Sequence, residues 1–196
     1  GPRDFPAAQP ERAPAGSKIP AARRARRHRP AKTPSFRPDT TYRNGNIETE
    51  ANVFAAELLM PEFLFKKRIE GHEPSHVLLQ GLANDFSTSH LATVIQFITY
   101  TSEPCALVVS KNAVVQWSRK SPSWEWPIRD ATVHRFSGAG EFFNSGNNPK
   151  PGMIETPAGA WITQFSAGDD ESIREDAFAW PDQQIVLSLL WVDGEL

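Results

Sequence analysis

The sequence predicts an α+β protein in which helices come first and a small antiparallel sheet follows. Residues 47–61 place Ala51, Phe54, Ala55, Leu58 and Leu59 at helical spacing, one apolar stripe on one face. Two more helical patterns follow it closely, across 74–86 and 88–99. From Glu103 onward the pattern changes to short apolar runs separated by turn residues, which is the signature of strands. At 196 residues with 39% hydrophobic and 22% charged side chains, the chain can bury a core, as one domain or as two small ones.

Charge is unevenly distributed. Residues 1–40 hold ten Lys/Arg against three Asp/Glu, so that the overall −2 conceals an arm of +7 and a body of −9. The arm, taken as residues 1–41, also carries eight prolines before residue 40 and little that is large and apolar, and is expected to be disordered. Its run Arg23, Arg24, Arg26 and Arg27 is a candidate contact for DNA or an acidic partner, and a solvated basic tail is the plainer reading. The acidic body argues against general nucleic-acid binding.

The helix expected over 47–61 has Asn46 as its N-cap, while Glu48 and Glu50 suit the positive end of its dipole. Pro61 ends it. At 100° per residue Glu48 falls about 50° from the centre of the apolar stripe, whereas Glu50 and Glu57 fall opposite. A carboxylate beside a buried stripe is costly unless it is paired, and a metal ion is one such partner. An answer to the helix dipole is the simpler account of the same residue.

Next come a short helix, Glu62–Ile69, and a pair, Pro74–Phe86 and Thr88–Thr99, with Ser87 as the expected cap of the second. The tight turn between the pair resembles a helix-turn-helix. The second helix opens on Thr88, Ser89 and His90 without Lys or Arg, which favours packing over DNA reading. Cys105–Val109 and Ala113–Trp117 predict a hairpin, Gly159-Ala160-Trp161 a short strand, and Gln184–Val192 a buried closing strand. Gly138–Gly152, rich in Gly, Asn and Pro, predicts a loop. The six tryptophans could line a ligand pocket, though a sheet core more often claims such residues.

The segment Glu48-Thr49-Glu50-Ala51-Asn52-Val53-Phe54-Ala55-Ala56-Glu57-Leu58-Leu59-Met60-Pro61 closely resembles the one that follows the zinc-binding helix in the ImmA/IrrE family of metallo-endopeptidases. Glu103-Pro104-Cys105-Ala106-Leu107-Val108-Val109-Ser110 is similar to the start of that family's GAF-like sensor domain, and the resemblance runs from about residue 42 to the end. It implies a remnant helical peptidase subdomain with the helix-turn-helix-like pair over 42–101, then a GAF-like sensor domain over 102–196. It implies zinc as cofactor, a helix-turn-helix (Xre-type) repressor as partner, and a small-molecule ligand in the sensor domain. On this resemblance Glu48 stands at the third zinc-ligand position.

The family's other ligands come from an upstream H-E-x-x-H helix, and here His28 is the only histidine before Glu48. His28-Arg29-Pro30 resembles the phrase that follows that helix in relatives. Truncation, a misassigned start, gene decay and divergence each account for its loss. A literal H-E-x-x-H does occur at His72-Glu73-Pro74-Ser75-His76. Zinc would need both histidines on one continuous helix, and Gly71 and Pro74 break it. The residues therefore point to a regulatory or interaction scaffold controlling a repressor, with zinc expected to be unbound; zinc-dependent cleavage of the repressor and DNA binding are the alternatives. With a lone Cys105, no signal pattern and no apolar run of about 18 residues, a cytoplasmic location is expected.

Overall fold

The computed structural model describes residues 47–194 and 196, with side chains from residue 51 onward. Arg23, Arg24, Arg26, Arg27, His28 and Asn46 lie outside the described residues. The helical half is α1 (Ile47–Leu59), α2 (Glu62–Ile69), α3 (His76–Asp85) and α4 (His90–Tyr100). Ser75 and Ser89 cap α3 and α4, their hydroxyls accepting from the amides of Leu78 and Ala92. The expected cap Ser87 instead has φ of +53°, which turns the chain between the two helices.

The sheet is β1 (Cys105–Lys111), β2 (Val114–Lys120), β3 (Ile154–Pro157), β4 (Ser172–Trp180) and β5 (Ile185–Trp191). It is antiparallel throughout, in the order β2-β1-β5-β4-β3. The expected hairpin is β1–β2. Asn112 and Ala113 both take positive φ at its tip, the geometry that matches the twist of paired strands.

Alternation along β1 and β5 gives the sheet two apolar faces. Leu107, Val109, Leu187 and Leu189 face α2, α3 and α4, where Phe65, Leu79, Leu82 and Phe97 complete one core. Ala106, Val108, Val186 and Leu190 face the other way, onto Trp124, Phe142, Trp161 and Ile162. The tryptophans are consumed by these cores: Trp124, Trp161 and Trp191 are buried and Trp117, Trp126 and Trp180 pack against them.

Three expectations are corrected. Gly138–Ser145 is a helix, α5, inside the stretch expected to be a loop; Ser137 caps it, and Gly146 ends it with φ of +72°. Its glycines serve close approach: a Cβ on Gly140 would sit 2.1 Å from the His134 carbonyl oxygen, and one on Gly138 would crowd β4. Ala158–Ala160 is a 3-10 turn rather than a strand, because Gly159 runs against the Ser166 backbone. The stripe of α1 is not buried either. Only its last turn meets the described body, through Ala56, Glu57 and Met60, and the face with Phe54 and Leu58 is exposed. Among the described residues no helix is long and apolar enough to cross a membrane.

Candidate functional site

The structure parts the two histidines of His72-Glu73-Pro74-Ser75-His76. His72 lies on the exposed loop before α3, whereas His76 is the first residue of the helix and is buried. A proline and a capping serine between them leave no continuous helix to present both rings to one ion. His72 instead lines an open groove between α2 and α3, beside the ion-paired Arg68 and Asp85.

His76 enters a different constellation. Its backbone N–H donates to Asp176 Oδ2 at 2.7 Å, so a carboxylate from β4 sits at the positive end of α3. Its ring Nε2 is 3.2 Å from the Leu187 carbonyl oxygen of β5, and its Nδ1 is 2.9 Å from His90 Nε2 on α4. A carbonyl only accepts, so Nε2 of His76 carries the hydrogen and Nδ1 accepts from His90. That assignment leaves His90 Nδ1 as a bare lone pair, and it has no hydrogen-bond partner. The Phe178 ring packs against both imidazoles, with centroids 5.7 and 4.7 Å away. The Gly152 amide also donates to Asp176, at 3.2 Å.

Burial dominates the electrostatics here. Desolvation lowers His76 to about 4, against the opposing pull of the Leu187 carbonyl and the Asp176 contact. It lowers His90 to about 4 as well, with the neighbouring His76 adding to the effect and Asp176 resisting it. Asp176 is raised by burial although two backbone amides hold its charged form. At neutral pH both rings are therefore uncharged, and the trio stitches α3 and α4 to β4 and β5.

The donors do not fit a zinc site. His76 has both ring nitrogens engaged, Asp176 accepts two amides, and no three His, Cys, Asp or Glu converge on one point among the described residues. Glu48 lies in α1, but its side chain is outside the described residues. Nine residues on, the same helix turns Glu57 toward α4, where it accepts from Tyr100 Oη and, at 3.3 Å, from Gln96 Nε2. Nucleophilic chemistry finds no support at Cys105 either: it is wholly buried, and desolvation, with help from Glu103, pushes its thiol well above the ordinary range.

A second buried acid went unforeseen. Glu175, wholly buried on the other face of β4, accepts from the amides of Gly138 and Ala139, from Thr156 and Ser188 hydroxyls and from Trp161 Nε1. Neither Glu175 nor Asp176 could be singled out by spacing, since their partners come from distant parts of the chain. The available hint was two adjacent acids inside Ile173–Trp180, a run that apart from them and Arg174 is apolar enough to be a strand.

In comparison with known families, residues 28–96 match the model of the IrrE N-terminal-like domain. The match takes in α1, α2, α3 and α4 as far as Gln96, and bears out the resemblance carried by Glu48–Pro61. No curated protein matches the chain.

Proposed function

We propose, from the premise that residues 28–96 are an IrrE N-terminal-like domain, that this protein acts as a regulatory scaffold which binds a helix-turn-helix repressor rather than cutting it. The observation that carries the reading is the fate of the matched region's one H-E-x-x-H. His72 is on a loop, His76 is sealed against His90, and Glu73 is an exposed loop residue bridged to Arg174. An ordered water between two imidazoles and a general base has no place there. The antiparallel order β2-β1-β5-β4-β3 supports a GAF-like reading of the sheet half, with a small molecule as the signal it answers.

The peptidase alternative rests on Glu48, which stands in α1 within the matched region. DNA binding through the helix pair is disfavoured by burial. No residue of α4 is fully exposed, and its half-buried side, Leu91, Ala92, Ile95 and Thr99, carries no Lys or Arg with which to hold a phosphate in a major groove.

The test is to incubate the purified protein with an Xre-type repressor, with zinc or with chelator. The expected result is an intact complex that forms equally in both. Cleavage that requires zinc and disappears in Glu48→Ala would overturn the scaffold reading in favour of the peptidase. A mobility shift of DNA by the protein alone, lost when residues 1–40 are removed, would favour the third.

A further inference from the structure

Both buried histidines open a helix: His76 is the first residue of α3 and His90 the first of α4. A helix N-terminus carries partial positive charge, so each ring sits where a further positive charge is least welcome. The hydrogen bonds leave no room for that charge either. His76 Nε2 gives its hydrogen to the Leu187 carbonyl, and Nδ1 accepts from His90 Nε2 at 2.9 Å. A proton added to His76 Nδ1 would set two N–H groups against each other. One added to His90 Nδ1 would find no acceptor, since that nitrogen is buried without a partner. We propose that a proton on this pair frees α3 and α4 from the sheet while the core on the opposite face stays closed, a latch released by acid on one side only.

The sidedness comes from what holds each face. Among the described residues, the hydrogen bonds that join α3 or α4 to the sheet are those of His76, to Leu187 and to Asp176. On the other face Glu175 gathers α5, β3, β5 and the 158–161 turn through amides, hydroxyls and an indole, donors that do not titrate in mild acid. His134, beside α5, is only half-buried and lies on a surface turn. Around the histidine pair β5 supplies a carbonyl, the loop before β3 supplies the Gly152 amide, and β4 supplies Phe178 and the one facing charge, Asp176. Burial lowers both rings to about 4, so the closed form refuses protons that freed rings would take up below an ordinary 6.5. Asp176 is raised and opposes the release, one carboxyl against two rings. Local opening of this kind needs no global unfolding.

Hydrogen exchange of the full chain, read by mass spectrometry at about pH 7.5 and about pH 5 and corrected for the intrinsic rate, tests this. Amides of α3 and α4 should lose at least about tenfold in protection at the lower pH, while those of α5, β3 and β4 keep theirs. Protection that falls equally on both faces overturns the proposal, and so does unchanged protection in α3 and α4. His90→Gln keeps an N–H for His76 Nδ1 but cannot take up the proton, so its loss at the lower pH should be smaller. A loss as large as the parent's would show that the rings are not the trigger. Should that variant fail to fold, the comparison of the two faces in the parent still decides.

Discussion

Two acids stand side by side on β4 and point to opposite faces of the sheet. Glu175 is closed in by donors from α5, β3, β5 and the 158–161 turn. Asp176 has two backbone amides and, beyond them, a pair of neutral imidazoles, one with an idle nitrogen. The first is a buried carboxyl group satisfied on every side, which makes it a lock for one particular arrangement of elements. The second is only partly satisfied, and burial holds its proton more tightly than water would. Pairing, more than depth, separates them.

Breaking the lock should therefore cost most. Glu175→Ala strands donors from four different elements and is expected to lower unfolding stability by about 4 kcal/mol or more, read as the urea midpoint. Asp176→Asn should cost only about 1–2 kcal/mol, because one amide keeps its acceptor and the burial penalty on the charge is relieved. If the Asp176 change proves as damaging as the Glu175 change, the contrast between the two is wrong.

Acid sharpens the comparison from the other side. The folded pKa of both His76 and His90 is lowered, to about 4 from an ordinary 6.5, so their contribution is intact above 6.5 and is lost as pH falls toward 4. Asp176 is raised, so its own contribution has the opposite sign and grows as pH falls through its folded pKa. With two rings against one carboxyl, the net expectation is a loss of stability from this cluster between pH 7.5 and 4.5. The double variant His76→Leu/His90→Leu should show a flatter pH dependence of its urea midpoint than the parent. Smallest is Ser188→Ala, which removes one hydroxyl donor from Glu175 and should cost about 1 kcal/mol by the same measurement.

Much of the helical half was legible. Helices α1 to α4 lie within a few residues of their expected places because apolar spacing and Ser or Pro punctuation are local signals. The hairpin was legible for the same reason, with its turn residues between two apolar runs. Strand β4 was not, since Glu175 and Asp176 interrupt its pattern and are tolerable only with partners supplied from elsewhere. The same holds for α5. Gly138-Ala139-Gly140 has poor helix propensity, and the helix forms where a carboxylate 37 residues away accepts its first amides. Of the candidate site, the sequence set His76 aside as a broken zinc motif but could not show its core pairing, since its partners His90 and Asp176 lie 14 and 100 residues away.

By itself the sequence determined the α+β class, the family resemblance centred on Glu48–Pro61 and the incapacity of His72–His76 to form one helical motif, since each depends on residues within a few turns of one another. Only the tertiary structure decided that the α1 stripe would face outward, that His76 would meet His90, and that neighbouring acids on β4 would have unlike surroundings. Those outcomes depend on which elements pack against which face of the sheet, and no short stretch of chain encodes that.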